Sequence, residues 1–535
     1  MGNLLDRVAG QQRDYAAGAT RSHRRDLGQI FTPPEIARFM ASLFSPPAKR
    51  VRLLDPGAGF GILSLAYCER ISRELMPHEI DLHLFETDPA MPDILAGIFD
   101  ECKAVLAAAG HSLSYTIHTA DFIAATSCYL EVDYLFNDAE IPDDFDAVIT
   151  NPPYFKLRKD SPQARLMSRV VHGQPNAYAL FLALAARLLN PAGELVAISP
   201  RSFCNGLYFR GFRQWLFDHV SLDHVHLFES RTDIFKESGI LQESIVTKWH
   251  RPCSENGHVN ITHSWGRDID DAIPALSVPT DEVICREQGH DMIRIPISQD
   301  DVELLRAFDS LPCTFAETGL RISTGPVVTF RATEHLRYDA EDEAVVPLLQ
   351  PHNVRPFKTI WPIEKKQKPV AIADRKESRR LLVPTRNYVL LKRFSAKEEK
   401  RRLTAGCFLK NEANGPRVGL ENHLNYIYHA SRELTDDEVY GIAALFNSQI
   451  VDRYFRTISG NTQVNATEIR TLRFPPLETI ETIGRQVREM FASCGQASAC
   501  PERIEELILE RLEWSLIPKL PLASPTSAKQ NLLLV

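Results

Sequence analysis

Short apolar runs recur through the first 250 positions, each closed by polar or glycine-rich residues and separated from the next by a stretch of helical spacing. Residues 51–54, 81–85, 115–118, 147–149, 194–199, 223–228 and 244–249 read as strands. Between them, Ile36, Phe39, Met40 and Leu43 fall on one helical face, and helical patterns cover 62–71, 176–189 and 209–217. The run 147–149 is apolar without alternation, as in a strand covered on both faces of a parallel sheet. This strand–helix alternation predicts an α/β fold with a Rossmann-like, doubly wound sheet. The residues following each strand then lie at the carboxyl edge, where open sheets of this kind bind ligands.

Around 251–300 the pattern dissolves into Pro, His, Ser and Asp, which predicts a linker at 266–300 between a first domain, 1–265, and a second, 301–520, followed by a tail, 521–535. The second domain reads as mixed α+β: short strands and turns around 320–330 and 347–354, and a helix from 436 through Phe455. That helix is opened by the capping box Thr435-Asp-Asp-Glu438 and carries Val439, Ile442, Leu445 and Phe446 on one face.

Composition adds little beyond exclusions. The 535 residues are 44% apolar, enough for two sizeable cores, and no apolar run approaches the ~18 residues of a membrane span. The first thirty residues are polar and unlike a signal peptide, and the ten cysteines include no Cys-x-x-Cys pair. A cytoplasmic protein without membrane attachment or bound metal is expected.

Charge does change the picture, because the formal −8 conceals segregation. Residues 86–146 hold thirteen acids and one lysine, whereas 374–402 hold eleven Lys and Arg against four acids. The basic run contains Arg379-Arg380, Lys392-Arg393 and Lys400-Arg401-Arg402, interleaved with Tyr388 and Phe394. Such a run suits phosphate contacts beside double-stranded DNA, with Lys392, Arg393, Lys400, Arg401 and Arg402 as candidates.

Candidate chemistry gathers at the strand ends. The strand at 51–54 runs into Asp55-Pro-Gly-Ala-Gly-Phe-Gly61, whose Gly57, Gly59 and Gly61 allow a ligand close to the backbone, although Asp55-Pro56 departs from the nicotinamide fingerprint. The next strand ends in Glu86-Thr87, a carboxylate placed for ribose hydroxyls, and the third leads to Asp121-Phe122, a carboxylate and ring suited to an adenine. The fourth ends in Asn151-Pro152-Pro153-Tyr154. There the Asn151 side-chain oxygen and the Pro152 carbonyl offer two acceptors for an exocyclic amine, the prolines stiffen the corner, and Tyr154 offers a stacking face. Upstream, Thr32-Pro33-Pro34-Glu35 has the form of a capping box with Thr32 as N-cap and Pro33 at the first helical position.

Together these segments resemble the S-adenosylmethionine-dependent adenine-N6 DNA methyltransferases of the gamma, TaqI-like class from bacterial restriction–modification systems. The resemblance covers the first half of the chain closely and the second half in layout, including 456–477, which resembles the closing part of target-recognition domains. It implies a lid motif over the cofactor at 27–44, in which Phe31, Thr32 and Pro33 meet the cofactor, and that Asp55, Pro56 and the three glycines hold its methionine part. Glu86 and Thr87 would meet the ribose, Asp121 and Phe122 the adenine, and Asn151 to Tyr154 would be the catalytic tetrapeptide, Asn151 also touching the cofactor, with Phe235 stacking on an extruded base. It further implies a cognate restriction endonuclease acting separately and a nucleoid-associated location. Related Asn-Pro-Pro-Tyr enzymes act on a release-factor glutamine or on RNA, but a second domain of this size favours DNA. Cytosine-N4 methylation is a second reading, disfavoured by Asn151 where those enzymes more often carry Ser. A non-catalytic DNA-binding scaffold is a third, opposed by intact Asp55, Glu86, Asp121 and Asn151.

Overall fold

The computed structural model describes residues 1–18, 30–130, 141–171, 175–230, 233–234, 243–252, 257–267, 269, 273–286, 291–339, 345–365, 367–395, 399–412, 415–460, 463–494 and 501–514. The chain divides into two compact units, Met1–Ile297 and Ser298–Val535.

The first unit is built on strands β1 (Arg50–Pro56), β2 (Glu79–Phe85), β3 (Ser112–His118), β4 (Phe145–Thr150), β5 (Leu189–Pro200), β6 (Ser221–Phe228), β7 (Ser244–His250), β8 (His258–Ser264) and β9 (Leu276–Pro279). They form one sheet in the order β3-β2-β1-β4-β5-β7-β6-β8-β9. Strands β1 to β5 are parallel to one another, while β7 runs antiparallel to both β5 and β6. Because β1 pairs with β2 on one side and β4 on the other, strand order reverses there, and the crevice at its carboxyl edge is where a ligand is expected. The hydroxyl of Thr150, at the end of β4, donates to the Pro56 carbonyl at 2.8 Å and locks the two strand ends together.

The helices are α1 (Gly2–Gly18), α2 (Pro34–Ser42), α3 (Ile62–Ile71), α4 (Pro92–Ala108), α5 (Phe122–Thr126), α6 (Pro162–Leu166), α7 (Ala177–Arg187) and α8 (Arg210–His219). Alternate strand residues point to opposite faces, and both faces are covered. Leu53, Leu82, Leu84, Ala147, Ile149, Val196 and Ile198 pack with Leu5, Val8, Ile36, Met40, Leu63 and Leu95 of α1 to α4. Leu54, Val148, Leu195 and Ala197, of the other parity, are equally buried, with α7 against β5.

Three expectations need correction. The amino-terminal residues read only as polar, yet 2–18 form a helix, with Leu4, Leu5 and Val8 buried at helical spacing. The stretch 266–300, expected as a linker, carries β9 paired with β8, and the first unit extends through Ile297. Its buried apolar positions among the described residues, Val278, Val283, Met292, Ile293 and Ile295, are too few and too scattered to stand out from the Pro, Ser and Asp around them. Thr32 is not an N-cap: Pro33 holds that position without a side-chain bond, and the helix begins at Pro34.

The second unit holds an antiparallel sheet of Leu320–Thr324, Leu424–His429, Tyr388–Lys392 and Ala405–Phe408. A mixed five-stranded sheet includes Val345–Leu349 paired parallel with Arg417–Leu420. The capping box at Thr435 and Glu438 forms as expected. The helix it opens stops at Asn447 instead of running to Phe455, and Ser448 caps a new helix, Gln449–Ile458. The break follows from Asn447, whose side-chain amide bonds the backbone N–H and C=O of Ala405. Helix Asp436–Asn447 packs against Leu477–Cys494. The tail 521–535 lies outside the described residues.

Candidate active site

The turn after β1 is shaped by its glycines. Gly57, Gly59 and Gly61 all have positive φ, at 82°, 55° and 70°. At Gly61 a Cβ would lie 2.6 Å from the Phe99 ring, so glycine lets α4 close against the turn as well as freeing the backbone. The amides of Gly57 and Ala58 donate to the Phe85 carbonyl, pinning the turn to the end of β2.

Glu86, next in sequence, is buried, and its two carboxylate oxygens accept from the backbone N–H groups of Gly59 and Asp88, each at 2.8 Å. Burial pushes its carboxyl above the usual range, and these backbone donors oppose the shift. Asp55 lies deeper. One of its oxygens accepts from the Ser64 hydroxyl at 2.7 Å, and the other has no hydrogen-bond partner among the described residues. Burial raises Asp55 from 3.8 to about 7, against the Ser64 hydrogen bonds and with help from the Glu86 charge.

A stability prediction follows from Asp55. A carboxyl whose folded value lies above its unfolded one favours folding less as it ionises, so its contribution falls between pH ~4 and ~7. Asp55→Asn keeps an acceptor for Ser64 and is expected to raise stability at pH 8 by up to about 4 kcal/mol, from roughly three units at ~1.36 kcal/mol each. At pH 4 the variant and the parent should unfold together in thermal melts. A difference independent of pH would contradict this assignment.

At the end of β4, the Asn151 side chain is held by its amide nitrogen, which donates to the Ile30 carbonyl at 2.8 Å and to the Thr32 hydroxyl oxygen at 3.0 Å. Since a carbonyl only accepts, the orientation of the amide is set. Its oxygen is buried with no hydrogen-bond partner among the described residues. The hydroxyl expected to cap α2 is thus engaged by Asn151.

These elements surround a solvent-open cleft of about 760 Å³ lined by Phe31, Thr32, Gly57, Gly59, Glu86, Thr87, Phe122, Asn151 and Pro153 among others. Nine of the residues expected from the sequence therefore meet in one place. Pro33, Asp55, Pro56, Gly61, Asp121, Pro152 and Tyr154 do not line it. Asp121 caps α5, and its second carboxylate oxygen accepts from Gln163 at 3.1 Å. Tyr154 is partly buried, with its hydroxyl donating to the Ile198 carbonyl at 3.1 Å and its ring edge-on to Tyr178. Phe235 lies outside the described residues.

The sequence reading missed Gln12, Phe60 and Phe181, which also line the cleft. Gln12 donates to the Thr32 carbonyl, and Tyr15, one turn on, packs edge-on to Phe31 and Phe60. The spacing of Leu4, Leu5, Val8, Gln12 and Tyr15 was the available signal. Phe181 sits within an almost wholly apolar helix, where nothing in the sequence distinguishes a cleft residue from a core one.

The expected phosphate contacts in the second unit fare unevenly. Arg402 is a correction: it is 2% exposed, its guanidinium donates to the Ser459 carbonyl and lies over the Phe455 ring, and it cannot reach a phosphate. Arg393 is tied to the Asn422 carbonyl and the Gln463 side chain, and Arg401 to the Asn447 carbonyl. Lys392 is half-buried, which lowers its ammonium below the usual range. Lys400 is exposed, as are Arg375, Lys376, Arg379 and Arg380 earlier in the run.

Among the described residues no helix is long and apolar enough to cross a membrane. The family described as Eco57I restriction-modification methylase matches residues 113–235, which include Asn151 to Tyr154. By fold, the chain resembles the Type IIL restriction-modification enzyme MmeI, solved in complex with DNA, with a TM-score of 0.52, 12% identity, and coverage of 96% of this chain and 74% of that one. Type II methyltransferase M.PstI of Providencia stuartii is 34% identical over 465 residues, 87% of this chain and 90% of the relative. Type II methyltransferase M.BsuBI of Bacillus subtilis is 35% identical over 491 residues, 91% of this chain and 95% of the relative. With such identity sustained across both units, the chain belongs to the type II methyltransferases of restriction–modification systems.

Proposed function

We propose that the chain methylates N6 of an adenine swung out of duplex DNA, using S-adenosylmethionine, as the modification enzyme of a restriction–modification system whose endonuclease is a separate protein. The observation that carries this reading is the Asn151 oxygen, a buried acceptor left without a partner among the described residues at the wall of a cleft, while its amide nitrogen is anchored. A buried acceptor of this kind calls for a donor, and an exocyclic amine supplies one.

The cleft suits the cofactor. The positive-φ glycine turn leaves backbone room, the Glu86 carboxylate suits ribose hydroxyls, and Phe122 with Phe181, their centroids 5.1 Å apart, provides apolar walls for a purine. When bound, S-adenosylmethionine supplies a methyl group on a positively charged sulfur, which leaves readily as a neutral thioether.

The remaining work falls to the chain's own residues. The Asn151 oxygen and the Pro152 carbonyl accept from the two N–H groups of the target amine and draw its lone pair out of conjugation with the ring. Tyr154 gives the base a face to stack on, replacing stacking lost on extrusion, which costs a few kcal/mol. Purified protein, labelled cofactor and duplex DNA, digested to nucleosides and resolved by mass spectrometry, should place the label in N6-methyldeoxyadenosine. Label in N4-methyldeoxycytidine would overturn the adenine reading.

Duplex binding is assigned to the exposed cations of the basic run. The double variant Arg379→Ala and Arg380→Ala is expected to weaken DNA affinity uniformly across sequences and to lower the slope of log K against log salt by about 2. An unchanged slope would remove those residues from the DNA surface.

A further inference from the structure

We propose that Thr32 is the positioning residue for Asn151, so that the amino-terminal lid segment aims the catalytic amide as well as bordering the cofactor cleft. The inference rests on the proposed methyl transfer and adds to it a residue acting through Asn151. A side-chain amide at a strand end can turn about its last two torsions, and either of its ends can face the cleft. Here the Ile30 carbonyl and the Thr32 hydroxyl oxygen take both N–H groups of Asn151, at 2.8 and 3.0 Å, leaving only the oxygen to face a target amine.

The Ile30 partner is backbone and survives any side-chain change; the Thr32 partner is a hydroxyl that sequence logic would have placed at the helix cap. Instead Pro33 occupies the cap position with no side-chain bond, and the 5% exposed Thr32 turns inward. The cap is forgone and the hydroxyl is spent on Asn151. Gln12 of α1 donates to the Thr32 carbonyl at 3.3 Å and ties the segment from the other side. Removing the Thr32 hydroxyl therefore frees one N–H of the amide and lets it rotate, which misaims the acceptor without removing it.

The test compares Thr32→Val, of nearly the same shape but without the hydroxyl, with Thr32→Ser, which keeps it. For Thr32→Val the expected result is a kcat about tenfold to a hundredfold lower, with cofactor affinity by titration calorimetry within about threefold of the parent and an unchanged melting temperature. Thr32→Ser should recover most of the rate. In an Asn151→Ala background, Thr32→Val should cost nothing further, because the residue it aims is gone. If Asn151→Ala is inactive while Thr32→Val keeps the parent kcat, or loses cofactor affinity in place of kcat, the positioning role fails and the proposed function stands. If Asn151→Ala methylates DNA at the parent rate, the proposed function itself falls.

Discussion

Asn151→Ala is expected to lower kcat for methyl transfer by about a thousandfold, the scale at which loss of one preorganised polar group is felt at a reacting centre. Its side-chain amide is anchored through nitrogen to Ile30 and Thr32, and its oxygen is a buried acceptor without a partner among the described residues. Removing it leaves the glycine turn and the Glu86 carboxylate in place, since their bonds run to Phe85, Gly59 and Asp88. Cofactor affinity should accordingly change by less than about tenfold, and affinity for duplex DNA less still. Single-turnover methylation with saturating DNA and cofactor separates the chemical step from binding. A variant that lost binding and rate in equal measure would show Asn151 to be a wall of the cleft and not an acceptor for the target.

Gly484→Ala is expected to destabilise the second unit by about 3 kcal/mol or more, at the upper end of overpacking costs. Gly484 lies on the helix Leu477–Cys494 where it crosses Asp436–Asn447, and a Cβ there would stand 1.7 Å from the Asp437 carbonyl oxygen and 2.5 Å from the Gly441 nitrogen. The facing Gly441 is as tight, with a Cβ falling 1.9 Å from the Ile480 carbonyl oxygen. These are backbone atoms, so no rotamer change relieves the clash and the helices must part. Asp437, in the first turn of Asp436–Asn447, pairs with Arg488 of the other helix, and this ion pair would be lost with the separation. Chemical denaturation of the full chain should show an early transition for the variant, with cofactor binding retained. A denaturation curve matching the parent would mean that the crossing is looser than the described packing.

Much of the first unit is legible in the sequence because its signals are local. Strands β1, β2, β4, β5, β6 and β7 are apolar runs with abrupt polar ends, and a strand's carboxyl end fixes where its next residues must lie. Gly57, Gly59, Glu86, Phe122 and Asn151 could be assigned to one edge for that reason, and they line one cleft. What escaped depends on partners distant in sequence. The role of Thr32 turns on a residue at separation 119, and a capping box is legible only as a local pattern, so the local reading was wrong there. At Thr435, where no distant partner competes among the described residues, the same pattern caps its helix as expected.

The second unit shows the same limit more strongly. Its strands are two to six residues long, and burial of Arg402 is set by Asp452 and Phe455 on a helix, and Ser459 just past its end, fifty or more positions away. A cluster of cations in sequence cannot reveal which of them a helix end will take. Arg402 and the exposed Arg379 and Arg380 look alike in the chain and differ in the fold.

The most direct measurement is a structure of the protein bound to duplex DNA and an unreactive analogue of the cofactor. One adenine should lie outside the helix with its N6 within ~3.2 Å of both the Asn151 side-chain oxygen and the Pro152 carbonyl, and its ring against Tyr154. A complex in which every base stays stacked, or in which the Asn151 oxygen meets some other donor, would contradict the assignment.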